Sequence, residues 1–317
     1  MAARVHTHHR GRGERELLIV LSMTLAFMVA EVSGGLLTNS LALLSDAGHM
    51  LTDAGALGLS LLAAWFSSRS ATLKRTYGYY RLEILAALLN GATLLLISLY
   101  IFYEAFHRLM EPPPVRSLPM LIIASLGLIV NLVGVWILSH AEGGLNTRGA
   151  FLHLLGDTLG SVGAILAGVL MLAFGWWLAD PLVSVVIGSL IAYGAVRLLK
   201  ETLDILMEGT PAHIDVRVLG ERMAQVPGVI SVHDLHVWSV TSDFETMSGH
   251  VVVSDDLDGE RQQELLATLG QTLARDFGID HVTIQLESNH MVEKGRFSCH
   301  CQANGGISLS AVGESES

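Results

Sequence analysis

Charge is scarce in this sequence: 15% of its 317 residues are charged, while 51% are hydrophobic and the mean hydropathy is +0.49. So little charge excludes an ordinary soluble domain, where the charged share is about 25%, and points to a polytopic membrane protein. Basic residues are the scarcer sign, 19 Lys and Arg against 30 Asp and Glu, which leaves a net charge of −11. Nothing in that balance favours nucleic acid as a partner, which wants a clustered basic face. Cysteine is rarer still. The two, Cys299 and Cys301, stand two apart near the C-terminus, which excludes a disulfide framework and suits joint metal binding better than a bridge. The opening MAARVHTHHRGRGERE has no small-residue cleavage site before the first apolar run, so no signal peptide is expected.

What is abundant is apolar length. A bilayer crossing takes about 20 mainly apolar residues, and six such runs come before residue 200, near 17–37, 41–66, 83–107, 118–139, 149–174 and 178–199. Arg4, Arg10, Arg12 and Arg15 precede the first run. Arg69, Lys74, Arg75 and Arg81 lie between the second and third, and Arg148 between the fourth and fifth. The opposite connections hold only Arg108 and Arg116, so the positive-inside rule puts both termini in the cytoplasm. The segment MEPPPVRSLP, residues 110–119, reads as a proline-stiffened extracytoplasmic turn.

Beyond residue 200 the composition turns acidic, with 19 of the 30 acidic side chains in residues 201–317, and the period changes. HIDVRVLGERMAQVPG reads as a short amphipathic helix with a Pro-Gly stop, VHDLHVWSV and SGHVVVS as paired strands, DLDGERQQELLATLGQTLARDFG as a helix, and HVTIQLES as a third strand. That α-β-β-α-β order predicts a small cytoplasmic α+β domain of ferredoxin-like or metallochaperone-like type with its helices on one face. The expected organisation is a cytoplasmic N-terminal tail (1–16), a six-helix transmembrane domain (17–200), the α+β domain (201–288) and a Gly/Ser-rich flexible tail (289–317).

Ionisable residues inside spans cost about 2.5–3.5 kcal/mol each on insertion scales and face a cavity or a partner. The candidates among them are Glu31 in the first run, Asp46, His49 and Asp53 in the second, and His153 and Asp157 in the fifth. His49 and Asp53 repeat the spacing of His153 and Asp157, and residues four apart share one helix face. Two such faces brought together offer two nitrogens and two oxygens, a tetrahedral set that Zn²⁺ accepts at about 2.0–2.2 Å, whereas Mg²⁺ wants oxygen alone. A single pair would be explained by a hydrogen bond tying helices together. Two identical pairs, with Gly48, Gly55, Gly58, Gly156, Gly160 and Gly163 permitting close approach, favour a metal site. Asp46, three residues before His49, either orients an imidazole from outside the ligand set or lies where cations come in from the cytoplasm. Glu31 is expected to satisfy a neighbouring helix.

The six runs, the paired His-x-x-x-Asp motifs, the YGYYRLE segment at 77–83 and the closing HVTIQLE strand resemble the cation diffusion facilitator family, over residues 14 to 288. The resemblance implies a homodimeric exporter that moves Zn²⁺ out of the cytoplasm in exchange for protons by alternating access, with His49, Asp53, His153 and Asp157 as its transport site. Cd²⁺, Co²⁺ and Ni²⁺ fit the same ligands. The chemistry agrees with antiport: metal needs neutral imidazole and ionised carboxylate, so protons and Zn²⁺ compete for the same groups. The resemblance also suggests an ion pair between Arg81 and Glu208 linking the membrane and cytoplasmic halves, with a positive-inside anchor as the simpler reading of Arg81. It implies a regulatory zinc site at the dimer interface from His233, His250 and Glu287, with His281 as a candidate fourth ligand. His233 and Glu287 share a sheet face only if the strand register permits. Some family members carry a further metal site between the second and third spans. SSRSATLKRTYGYY has neither acid nor histidine, and Tyr79 stands where such a histidine would be, so that site is expected to be absent. Cys299, His300 and Cys301, with His6, His8 and His9, form short clusters on the ends, read as solvated tails rather than metal carriers.

Three rival functions fit less well. An intramembrane metalloprotease would place His-Glu-x-x-His on one helix, and that motif does not occur. A passive channel wants sites that ions leave quickly, whereas two imidazoles and two carboxylates hold Zn²⁺ until protons expel it. A metal-sensing receptor would need an output domain larger than the acidic C-terminal segment. An inner membrane of bacterial type is the expected location.

Overall fold

Leu118, Ile122, Leu126, Ile129 and Trp136 stand on the outside of one helix, α4 (Ser117–Ser139), while Met120, Ala124, Gly127, Asn131 and Gly134 line its buried face. That inverts the pattern of a soluble protein, and lipid explains it: large apolar groups gain nothing by meeting each other rather than acyl chains, so helices join through small and polar residues. The computed structural model describes residues 10–51, 54–55, 72–140, 145–241, 244–290 and 308–310, with the side chains of 10–18, 145–155 and 308–310 outside that description. The chain divides into two units, residues 1–62 with 86–199, and residues 63–85 with 200–317.

The first unit contains α1 (Arg10–Thr38), α2 (helical over 41–51), most of α3 (Arg81–Met110), α4, α5 (Leu145–Phe174) and most of α6 (Ala179–Leu206). Among the described residues five helices are long and apolar enough to cross a membrane: Ile19–Thr38, Arg81–Met110, Ser117–Ser139, Gly156–Phe174 and Ala179–Leu206. Half of the second apolar run, 41–66, lies outside the described residues; its first part is α2. Helix α1 packs on α4, and α4 on α5. Gly127 is what lets α4 close on α1, because a Cβ there would lie 2.6 Å from a ring carbon of Phe27 and 3.3 Å from Glu31 Oε1. Helices α3 and α6 meet through Leu94, Ile101, Ile187, Ile191 and Ala195.

The second unit follows the opposite rule. Helix α7 (Val216–Ala224) is capped by Asp215, which accepts from the amides of Arg217 and Val218 at 2.8 and 3.3 Å. Helix α8 (Gly259–Phe277) is capped by Asp258 and stopped by Gly278 at φ 72°, the left-handed conformation that glycine takes at least cost. The stripes Leu219–Met223 and Leu265–Leu269–Leu273 pack with Val232, Val237, Met247 and Val251 of the sheet into one core. The sheet runs β3 (His281–Ser288), β2 (Phe244–Val253), β1 (Val229–Thr241), β4 (Ser308–Ser310), with β2 antiparallel to β1 and parallel to β3. The tail from 289, expected to be without structure, thus supplies three residues that pair along β1.

Candidate metal centres

In the membrane unit the imidazole of His49 (α2) faces the carboxylate of Asp157 (α5), with Nε2 and Oδ1 3.8 Å apart and the Asp157 side chain 1% exposed. A tetrahedral ion about 2.1 Å from each of two donors holds them about 3.4 Å apart, so these two are within a few tenths of an ångström of sharing one. The other half of the duplicated motif is less complete. His153 lies on α5 one turn before Asp157, its side chain outside the description, and Asp53 falls outside the described residues.

Around this pair runs a layer of buried polar groups. Asp46 (3% exposed) projects onto α5, where a Cβ on Gly160 would lie 2.9 Å from its Oδ1. Glu31 (1% exposed) lies buried between α1 and α4, where a Cβ on Gly127 would lie 3.3 Å from its Oε1. Asn131 of α4 donates to Ser161 Oγ at 3.3 Å, one turn beyond Asp157. Each carboxyl thus has a place made for it by a small residue on the opposite helix.

Asp180, wholly buried, is an acid of this unit that the sequence reading did not single out. It accepts from Ser40 Oγ at 2.6 Å and from the amides of Leu41 and Ala42 at 2.8 and 3.2 Å, so a residue of α6 caps the start of α2. Arg108 of α3 stands 3.8 Å from the same carboxylate. Acid followed by Pro181 at a helix start reads as a local cap, which hid this role.

In the C-terminal unit the strand register brings three candidates together. His233 of β1 pairs directly with His250 of β2, and His250 pairs with Gln285 of β3, two residues before Glu287. Directly opposed residues and residues two apart share a face, so all three side chains project the same way. His250 Nδ1 is 2.9 Å and His233 Nε2 3.3 Å from the two oxygens of Glu287, and donor atoms from all three lie within 4.8 Å of one another. Glu287 is 1% exposed, and its Oε2 has no hydrogen-bond donor. Two imidazole nitrogens around a buried carboxylate are the donors Zn²⁺ takes, so the residues fit such an ion.

His281 stands apart from that group. It begins β3, six residues or about 20 Å of strand from Glu287, and its ring packs edge-on against Tyr77 and Phe244 with centroids 5.8 and 5.7 Å away. Within one chain it does not join the other three. A bulge between His233 and His236, with Asp234 at φ 53°, sets His236 opposite Ser248 on the face that carries His250, and the Asp234 carboxylate stands 3.1 Å from His236 Nε2 and 3.8 Å from His250 Nε2. Arg81 and Glu208 do meet, Nη2 to Oε1 at 2.9 Å, with side chains 44% and 60% exposed, an arrangement worth about 0–1 kcal/mol. The tyrosine at 79 carries the guanidinium of Arg75 over its ring at 4.6 Å. The segments with His6, His8, His9, Cys299, His300 and Cys301 lie outside the described residues.

Residues 17–207 match the cation efflux transmembrane domain and residues 211–289 the cytoplasmic domain of cation efflux proteins. The chain belongs to the cation efflux, or cation diffusion facilitator, family. It is therefore a cation transporter and not an enzyme. It is 46% identical over 286 residues, 89% of this chain and 92% of the other, to the "Cadmium, cobalt and zinc/H(+)-K(+) antiporter" of Bacillus subtilis. It is 44% identical over 284 residues, 89% of each chain, to the "Metal cation efflux system protein CzcD" of Cupriavidus metallidurans. It is 42% identical over 300 residues, 93% of this chain and 92% of the other, to the "Zinc transporter ZitB" of Escherichia coli.

Proposed function

We propose that this chain exports Zn²⁺, and Cd²⁺ with it, from the cytoplasm in exchange for protons. The observation that carries the reading is the approach of His49 on α2 to buried Asp157 on α5. His153, one turn before Asp157 on α5, and Asp53, four residues after His49 in the sequence, complete a tetrahedral two-histidine, two-aspartate site for the transported ion. Facing the cytoplasm, the carboxylates and neutral imidazoles bind the metal and give up their protons. Facing outward, protons take the same groups and displace it. The relatives' names, which include zinc, cadmium and antiport with H⁺, support this reading.

The chain spans an inner membrane six times with both termini cytoplasmic, and its C-terminal domain, ferredoxin-like in element order, pairs with that of a second copy. The family domain there is designated a dimer domain. His233, His250 and Glu287 bind a regulatory Zn²⁺ in that domain, and Arg81 with Glu208 braces it to the membrane helices. Asp46 acts from outside the ligand set, held against Gly160.

Purified protein in liposomes with a zinc dye and a pH dye inside tests the reading under an imposed pH gradient. Zinc entry coupled to proton exit, abolished by Asp157→Ala and by His49→Ala in correctly inserted protein, is expected. Zinc entry without proton movement would instead make the protein a channel, and full transport by either variant would remove that residue from the site.

A further inference from the structure

The start of α2 is held by groups from two other helices. Ser40 caps α2 locally, accepting from the amide of Leu43 at 3.3 Å, and itself donates to Asp180 at 2.6 Å. The Leu41 and Ala42 amides, unsatisfied within any helix at its first turn, close on the same carboxylate. Arg108 secures the preceding turn: Nη1 donates to the Asn39 carbonyl at 2.6 Å, Nη2 to Asn39 Oδ1 at 3.1 Å, and Nε to Glu104 at 2.9 Å. Asn39 has φ 60°, a conformation asparagine tolerates when its polar groups are engaged, as they are here. The Arg116 amide donates to the Thr38 carbonyl at 3.0 Å and fastens the same turn to the start of α4. Asp180 is 0% and Arg108 8% exposed, so the charges compensate each other out of water, where losing either leaves its partner uncompensated.

We propose that Asp180, supported by Arg108, is a positioning residue for metal binding: it fixes the direction of α2 and so sets His49 against Asp157. This rests on the transport-site reading above. The reason is leverage. His49 lies about 12 Å along α2 from the seat, so a tilt of about 5° at residues 40–42 moves the imidazole by about 1 Å. Donors around a metal must hold their places to about 0.2 Å. Asp157 is carried by α5, while the side chains that hold the start of α2 come from α3 and α6, so Asp180 fixes the helix bearing one ligand through groups that are not on the helix bearing the other. Asparagine at 180 keeps the volume but loses the charge and turns a donor toward amides that need an acceptor.

A double-mutant cycle on purified full-length protein tests this, with Zn²⁺ binding measured by equilibrium dialysis and every variant carrying His233→Ala to silence the C-terminal site. Asp180→Asn is expected to weaken binding about tenfold or more, as removal of groups that orient ligands does. Added to His49→Ala, it is expected to weaken binding by less than about twofold, because its effect runs through His49. Equal effects with and without His49, or no effect of Asp180→Asn alone, would overturn the proposal; a purely structural role gives the additive result. His49→Ala with unchanged binding would overturn the transport-site reading instead. If Asp180→Asn does not yield folded protein, Ser40→Ala, which removes one of the three donors, runs the same cycle with a smaller expected loss of about threefold.

Discussion

The two units solve one problem, placing acids and histidines out of water, with opposite materials. In the membrane unit the outside is leucine, isoleucine and tryptophan, and the inside is where Gly127 and Gly160 make room for Glu31 and Asp46 and where Asn131 bonds Ser161 one turn from Asp157. In the C-terminal unit leucines and valines fill the inside, and Glu287 lies beneath two histidines that sheet register places over it. Apolar packing stabilises the second unit against water, whereas lipid offers the first no such reward and leaves its polar contacts to decide which helices meet. The difference teaches that the same ligand types carry different information in the two places. Spacing along one helix exposes a membrane site, while a sheet site depends on pairing between strands distant in sequence.

Mutations that exchange the rules should separate the units. Leu269 on α8 is 0% exposed, and Leu269→Ala is expected to cost about 2–5 kcal/mol. Leu126→Ala on the lipid face of α4 is expected to cost under about 0.5 kcal/mol; unfolding of the full-length protein followed by Trp238 fluorescence for the first, and by overall helix loss for the second, makes the comparison. Equal losses would mean that the outward leucines pack against protein. Next in size, Glu287→Ala should weaken zinc binding at the C-terminal site about 100-fold or more while leaving transport turnover in place. Titration of metal per protomer reads this, and an unchanged stoichiometry would exclude the site. Gly160→Ala places a methyl 2.9 Å from Asp46 Oδ1 and should slow zinc flux about tenfold. Gly194→Ala, with nothing within 4 Å, should leave it unchanged.

The smallest effect concerns pH. Hydrogen bonds from Arg275 and then Arg222 hold the Asp276 carboxyl at about 2, below the usual carboxylate range. Because the folded value lies below the unfolded one of about 3.9, this contribution is present above that pH and is lost as pH falls through about 2. Asp276→Asn should therefore narrow its stability gap to the wild type between about pH 5 and pH 2, a modest change since the group is exposed.

Much of this was legible in the sequence because lipid imposes a length on each apolar run and charges inside one are costly enough to notice. The repeated spacing pointed to His49 and Asp157, and the family resemblance to His233, His250 and Glu287. Other features were not legible, for physical reasons. Whether His233 and Glu287 share a face depends on two registers and on a bulge beside Asp234, none of them local properties. His281 has the chemistry of a ligand but begins its strand, where Tyr77 and Phe244 use it as an aromatic surface. Asp180 caps a helix 138 residues before it, and no local pattern distinguishes that from a cap on its own helix.

The central claim, that two histidines and two aspartates hold the transported ion inside the membrane, is tested most directly by zinc K-edge absorption on protein carrying His233→Ala and loaded with one equivalent of Zn²⁺. Four nitrogen and oxygen donors at about 2.0–2.2 Å, two of them imidazoles, are expected, with the imidazole signal halved by His49→Ala. A sulfur shell near 2.3 Å would place the ion on Cys299 and Cys301 instead, and an oxygen-only shell would contradict the ligand set.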